Sequence, residues 1–439
     1  MKPLKRTLCI LLSLTLILMC GATSAAAAGD DEPYADSGAG AQTRYLGDSN
    51  MDGSVDVLDA THIQRILANY SEATFRETQL SDTNLNGGID ILDATMLQRY
   101  LADIPVRDEI GQPVAVRTMT YSNGYAQPFV KMNEADSDDY RNWGSDIIRF
   151  VVYVETDYDT DRDGKPDLVK AWVQVPLAAL QGDYKAPVVF EANPYSANFA
   201  KTPFPDADEA VDESLLMTTP DKRVPKGICS NERLAADFRF SDVGDYSYGD
   251  YTKYNYFLSR GFAVAGSAGL GTRGSEGLEL CGSVMEADAF KAIVEWIHGD
   301  RKAYSNRTDD LEVKADWSNG KTGMLGVSYI GTLAYEVAAT GVEGLEAIAP
   351  TAGISSWYDY INQQGSPDYS FFEYFAFLSG ECASRFYDGI DDEYAYQTYL
   401  GWRKYVTDNA RAQKGNYGGV WEVRDFSQSD KLRANALII

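Results

Sequence analysis

Apolar and polar positions divide this chain into stretches of distinct texture. Behind a basic start (Lys2, Lys5, Arg6), Leu8 to Cys20 form an apolar run, and the small residues Ala26-Ala27-Ala28 follow. That is the make-up of a secretory signal with an Ala-x-Ala-like cleavage site, and the run is short for a membrane span. Residues 1–28 therefore read as a processing signal. Residues 29–46, mostly Gly, Ala, Asp and Ser as far as Gln42, hold almost nothing to bury and read as a flexible leader. Next come two helical segments, 59–68 and 93–102, which share the pattern Asp-Ala-Thr-x-x-Gln-Arg-x-Leu-Ala; Ile104-Pro105 closes this unit, 47–105. Residues 106–144 read as linker and lead-in.

The remainder, 145–439, has strand-like apolar runs at 146–154, 168–175, 187–191, 262–266, 322–327, 346–350 and 434–439. Helical periodicity lies between the later ones, at Met285–His298 and Tyr329–Thr340. Early runs joined by an acidic turn look antiparallel, and the later strand–helix alternation predicts a mixed, mostly parallel sheet flanked by helices. Residues 355–430 are rich in Tyr, Phe and Trp without strand alternation, and read as a helical cap inserted over the sheet. The expected architecture is thus multidomain: a small all-α module followed by an α/β domain.

Composition narrows the function classes. With 44% apolar residues the chain can bury at least one large core. A net charge of −26, from 39 basic and 65 acidic residues, disfavours nucleic-acid backbones and anionic membranes as partners and suits a soluble protein that binds cations. With no second long apolar stretch, the mature protein is expected outside the cytoplasmic membrane, extracellular or in a cell-surface complex. Of five cysteines, Cys9 and Cys20 lie in the signal; Cys229, Cys281 and Cys382 allow either one disulfide plus a thiol or three buried thiols.

The repeat carries the first chemistry. Gly47-Asp48-Ser49-Asn50-Met51-Asp52-Gly53 recurs 34 residues later as Ser81-Asp82-Thr83-Asn84-Leu85-Asn86-Gly87. An EF-hand-like loop takes oxygen ligands from positions 1, 3, 5, 7, 9 and 12, with Gly at 6 for the turn. Those places hold Asp48, Asn50, Asp52, the Ser54 carbonyl, Asp56 and Asp59, then Asp82, Asn84, Asn86, the Gly88 carbonyl, Asp90 and Asp93. Two calcium ions are expected, the second held less tightly because its loop has three carboxylates against four. Asp at position 12 in place of Glu, and the absence of a helix before the loop, resemble a type I-like dockerin. The resemblance implies a cohesin on a scaffold protein as partner, as in cellulosomes. The matching contact positions would be Ala60, Thr61, Ala94 and Thr95, flanked by Gln64, Arg65, Gln98 and Arg99, and the near-identity of the copies would permit two binding orientations. A third acidic run, Asp159-x-Asp161-x-Asp163-Gly164-x-x-Asp167, has Lys170 at position 12 and reads as a hairpin turn.

The second chemistry is one serine. The apolar run Thr322–Val327 leads through Ser328-Tyr329-Ile330-Gly331 into a helical stretch. A serine on such a strand-to-helix turn is lifted clear of the sheet and faces the backbone N–H groups of a helix N-terminus. The spacing differs from G-x-S-x-G, since Ile330 stands where the second Gly would, so the motif alone reads equally as a structural serine. Its context is similar to the serine peptidase family of Xaa-Pro dipeptidyl-peptidases, cocaine esterase and related acylases, an α/β-hydrolase family. Further segments resemble that family: Thr156–Val175, Glu191-Ala192-Asn193-Pro194-Tyr195, Tyr254–Gly277, Trp317–Lys321 and Ile354–Gly365. The resemblance implies Ser328 as nucleophile, with the Tyr195 hydroxyl and the Tyr329 N–H as oxyanion hole. The reaction it implies is acyl transfer through an acyl-enzyme on a proline-containing peptide or a small ester. Glu373 and Glu381 are the carboxylates available for a peptide's free amine.

Such a fold orders its triad as Ser, acid, His. The chain's two histidines, His62 and His298, both precede Ser328, and the last apolar run ends the sequence. The expectation is a fragment or truncated product without catalytic acid and base. The alternatives are a carboxylesterase or acylase of the same fold, and a non-catalytic dockerin adaptor.

Overall fold

Alternation of buried and half-buried residues along Ile147–Glu155 marks the first long strand of the sheet. The computed structural model describes residues 43–132, 146–160, 163–194, 220–238, 251–271, 274–277, 281–363 and 416–438. The signal, most of the leader, Tyr195, Glu373, Glu381, Cys382 and the middle of the expected cap lie outside them.

The module that carries the repeat comprises α1 (Val57–Leu67), α2 (Phe75–Ser81) and α3 (Ile91–Leu101). Leu46, Ala60, Ile63, Ala94, Leu97 and Ile110 form its core. Its two ends are clasped: Leu46 N donates to Gln112 O (3.0 Å), Gly111 N to Leu46 O (2.8 Å) and Val114 N to Arg44 O (2.8 Å). One expectation is corrected here. Ala60 and Ala94 are each 1% exposed and face the core, because they share a helical face with Ile63 and Leu97. Thr61, Thr95, Gln64, Arg65, Gln98 and Arg99 do lie exposed.

A β-hairpin (β1, Tyr121–Ser122; β2, Tyr125–Ala126) follows. The main sheet then contains β3 (Ile147–Glu155), β4 (Leu168–Pro176), β5 (Ala186–Ala192), β6 (Gly227–Ile228), β7 (Ala263–Ser267), β8 (Ala303–Tyr304), β9 (Leu311–Val313), β10 (Ser318–Val327), β11 (Leu345–Thr351) and β12 (Asn435–Ala436). They lie in the order β12-β11-β10-β5-β7-β4-β3-β8-β9-β6. From β12 to β7 every neighbour is parallel; β4 joins antiparallel to β7 and β3. This is the sheet of an α/β-hydrolase, and every strand-like run of the sequence contributes to it.

The helices are α4 (Leu177–Leu180), α5 (Asn231–Asp237), α6 (Tyr251–Leu258), α7 (Val284–His298), α8 (Tyr329–Ala339) and α9 (Trp357–Ile361), with a 3-10 turn at Gly419–Arg424. Ser283 caps α7, and Gly299, at φ 107°, ends it. Phe290, Ile293 and Trp296 of α7 and Leu333 and Val337 of α8 join Phe150, Val173, Phe190 and Met324 of the sheet in the main core. Trp172, Val189 and Val264 form a second core with Tyr254 and Leu258. The described ends of the expected cap belong to the main core as well, since Trp357, Ile361 and Trp421 are buried in it. Cys229 and Cys281 are both buried.

Candidate functional site

In both loops the chain turns through a left-handed residue and then a left-handed glycine: Met51 (φ 58°) and Gly53 (92°), Leu85 (58°) and Gly87 (97°). The glycine is needed there. Its N–H reaches back to the first aspartate, Gly53 to Asp48 Oδ2 (3.1 Å) and Gly87 to Asp82 Oδ2 (2.8 Å). The twelfth residue ties the loop to its helix. Asp59 accepts from Asn50 N (3.1 Å) and Asp56 N (2.8 Å), and Asp93 from Asn84 N (3.0 Å) and Asp90 N (2.7 Å). Asp59 and Asp93 thereby complete capping boxes with Asp56 and Asp90.

These residues fit a hard cation. Asp48 Oδ1 is buried without a hydrogen-bond partner, the condition of an oxygen shaped for a metal. Burial holds the Asp48, Asp59 and Asp93 carboxyls above their ordinary range, with neighbouring loop carboxylates adding to the rise. Among the described residues no three His, Cys, Asp or Glu side chains converge into a metal cage; here the carboxylates face backbone N–H groups. The acidic run at 159–167 is a hairpin turn between β3 and β4. Asp159 accepts from Asp163 N and Gly164 N (3.0 Å each), and Asp167 accepts from Thr160. The glycine-rich segment packs on it, leaving no room for a Cβ at Gly277, which would stand 2.5 Å from Asp167 Oδ2.

The module also shows a feature that its sequence reading missed. Val57 and Leu58 on α1 and Ile91 and Leu92 on α3 are 64, 57, 60 and 58% exposed. Each helix thus has more apolar positions than its buried face uses, a signal visible in the sequence as an apolar pair beside each Asp-Ala.

Ser328 lies at the C-terminal end of β10, between β5 and β11. It is exposed, with φ 61° and ψ −123°, a strained backbone for a residue with a side chain. What holds it there is close packing. A Cβ on Gly326 would fall 2.6 Å from Ile330 C, and one on Gly331 2.9 Å from Thr351 O. Ser328 N donates to Thr351 O (2.9 Å), and Thr332 Oγ1 donates to Ser328 O (3.2 Å). Tyr329 opens α8, so its N–H belongs to the first turn of that helix. The β10–β5 register runs in parallel as far as Met324 and Phe190. The end of β5 is secured by Asn193, whose N–H donates to Ser267 O (2.8 Å). Tyr195 itself lies outside the described residues. His62 meets Glu77 on α2 (3.1 Å) and His298 meets Asp300 (2.7 Å), both in settings unrelated to Ser328.

Behind the serine is a buried polar group that sequence reading did not find. The Tyr329 hydroxyl donates to Glu286 Oε2 (2.5 Å) and accepts from Gly282 N (2.8 Å). Trp357 Nε1 donates to Glu336 Oε1 (3.1 Å), and Arg424 Nε to Cys281 O (2.8 Å). Glu286, Glu336 and Arg424 are at most 1% exposed. Burial, and then the charge of Glu286, push the Glu336 carboxyl far above the usual range. Helical periodicity had marked both glutamates only as polar positions.

Residues 46–109 match the dockerin type I domain, and residues 163–439 match the X-Pro dipeptidyl-peptidase (S15 family). The Xaa-Pro dipeptidyl-peptidase of Pediococcus pentosaceus is 38% identical over 317 residues, 67% of this chain and 38% of that protein. That of Lactobacillus helveticus is 35% identical over 286 residues, 64% of this chain and 36% of that protein. The chain thus spans less than two-fifths of the length of these relatives. A CocE/NonD family hydrolase from Staphylococcus aureus aligns at a TM-score of 0.36 with 16% identity, covering 69% of this chain and 45% of that one.

Proposed function

Since the chain belongs to the X-Pro dipeptidyl-peptidase (S15) family and carries a dockerin type I domain, we propose that it is a secreted serine hydrolase of Xaa-Pro dipeptidyl-peptidase type, anchored through its dockerin to a cohesin on a scaffold protein. The observation that carries the hydrolase part is the backbone of Ser328, left-handed at φ 61° and exposed at the end of a central parallel strand. A serine there can attack a carbonyl carbon, and the first-turn N–H of Tyr329 is placed to stabilise the oxyanion. Tyr195 would supply the second donor. No histidine follows Ser328 in the sequence, so these residues hold the nucleophile without the base that activates it.

In the dockerin, Asp48, Asn50, Asp52, Asp56 and Asp59 with the Ser54 carbonyl, and Asp82, Asn84, Asn86, Asp90 and Asp93 with the Gly88 carbonyl, would each hold one calcium ion. The ion supplies fixed positive charge that keeps each acidic loop folded against its helix. The exposed pairs Val57-Leu58 and Ile91-Leu92, with Thr61, Gln64, Arg65 and their counterparts Thr95, Gln98 and Arg99, form the face offered to cohesin.

Two measurements test the whole reading. Calorimetry should show cohesin binding that chelator abolishes and that Asp48→Asn with Asp82→Asn removes; unchanged affinity in that variant defeats the anchoring role. For the hydrolase, the part of the Pediococcus relative beyond its aligned region can be fused after Ile439. Ser328-dependent cleavage of a dipeptidyl-proline anilide supports the peptidase reading, and cleavage of nitrophenyl esters alone supports an esterase. A fusion that folds yet shows neither supports the second reading, a non-catalytic adaptor.

A further inference from the structure

The dockerin does not rest on the hydrolase by surface contact alone. Arg76, on the short helix α2 between the calcium loops, is 5% exposed, and its guanidinium is satisfied mainly by the other domain. Its Nε donates to Gln181 O (2.6 Å), at the C-cap of α4, and its Nη2 to Asp183, whose side chain is fully buried. The second oxygen of Asp183 accepts Arg117 N (3.2 Å), and Arg117 pairs with Asp146 (3.0 Å). A separate anchor lies one residue away, where Phe75 N donates to Glu232 Oε1 on α5 (3.0 Å). A buried arginine–carboxylate pair is costly unless both partners stay in place, so it fixes geometry more than it adds stability.

The same helix is built into both calcium loops. Asp82, position 1 of loop two, is the C-cap of α2. The Leu80 carbonyl of α2 accepts from Gly47 N (2.8 Å), beside Asp48, position 1 of loop one. Within seven residues, then, α2 carries the grip on the hydrolase and the first ligands' supports.

We propose that α2 is a linkage element: calcium loading of the loops and docking of the dockerin on the hydrolase through Arg76 favour each other. A cation that fixes Asp82 fixes the C-terminal turn of α2, and with it the position from which Arg76 reaches Gln181 and Asp183. By reciprocity, the docked hydrolase must raise calcium affinity by the same factor by which calcium favours docking. The inference rests on the calcium reading of the loops.

The test uses the full chain. Calcium titration calorimetry compares wild type with Arg76→Lys, Asp183→Asn and the milder Glu232→Gln, whose anchor is independent of the buried pair. Trypsin cleavage after Arg107 or Arg117, followed with and without calcium, reads the docking itself. Loss of linkage should weaken the lower-affinity site by about fivefold or more. It should also make the variants' cleavage rapid in calcium, whereas wild type is cut rapidly only in chelator. Equal calcium affinity in wild type and variants overturns the linkage and leaves the calcium reading intact. A wild type that binds no calcium overturns both, and the absence of any effect of calcium on wild-type cleavage overturns the linkage.

Discussion

Gly326→Ala isolates the contact that shapes the turn carrying Ser328. Neither Gly326 nor its strand neighbour Gly323 has a left-handed backbone, so alanine is conformationally acceptable at both. Space alone separates them. At Gly323 the new methyl meets only Ala347 O, at 3.8 Å, an ordinary contact. At Gly326 it falls 2.3 Å from Ile330 Cγ2, 2.6 Å from Ile330 C and 2.7 Å from Ile330 O, so the first turn of α8 must move by about 1 Å to restore normal separations of about 3.5 Å. Overpacking of this kind costs about 1–3 kcal/mol, and the reduced freedom of the unfolded chain returns about 0.4–1. Gly326→Ala should therefore destabilise by about 1.3 kcal/mol while Gly323→Ala stabilises slightly. Urea unfolding at fixed calcium, read by the buried tryptophans Trp296 and Trp317, gives both values. A midpoint roughly 0.5–1 M lower for Gly326→Ala is expected. If the two variants unfold together, the turn is not held by close packing.

Four further outcomes follow from the same structure. A polypeptide of these 439 residues should hydrolyse dipeptidyl-proline anilides no faster than its Ser328→Ala variant, measured with the two side by side; faster turnover by the unsubstituted chain would mean a base has been overlooked. Loop two, with three carboxylates against four, should release calcium first in stepwise chelation, and Asp48→Asn, which leaves three in each loop, should remove the difference. Leu58→Asp alone should leave cohesin affinity within a few fold, because the second helix offers the same pair, whereas Leu58→Asp with Leu92→Asp should cost about 100-fold by surface plasmon resonance. The pH dependence follows from Glu336. Its folded carboxyl titrates well above its unfolded range, so its contribution to stability is full below about pH 4.3 and is lost as pH rises toward the folded value. Glu336→Gln should therefore gain on wild type by up to about 1.4 kcal/mol per pH unit from pH 4.3 upward; parallel stability curves between pH 5 and 7 would refute the assignment.

The strands, the helix–strand alternation and the repeated acidic loops are readable from the sequence because each is a local pattern. Period-2 burial along Ile147–Glu155 and the fixed spacing of Asp48, Asn50, Asp52 and Gly53 need no partner elsewhere in the chain. The exposure of Ser328 follows from a strand running into a helix, and is legible for the same reason. Ala60 and Ala94 were misplaced because an alanine fits either face of a helix, and only the packing of Ile63 and Leu97 decides which. Arg76, Asp183, Glu286, Glu336 and Arg424 were invisible because each is paired across a long stretch of sequence. Arg76 and Asp183 stand 107 residues apart, and nothing local marks a charged residue as buried.

The clasp that closes the dockerin also sets how the module bears a pull. Arg44 and Val114 leave it at the same end, so tension drawing the two chain ends apart would open Val114–Arg44 first and then the pairs at Leu46, one bond after another. Traction applied through α1 and α3 takes another route. It passes across the helices into the Arg76 contact, where several bonds share the load at once. Load carried through those helices therefore meets a mechanically stronger path than load that stretches the module along its backbone.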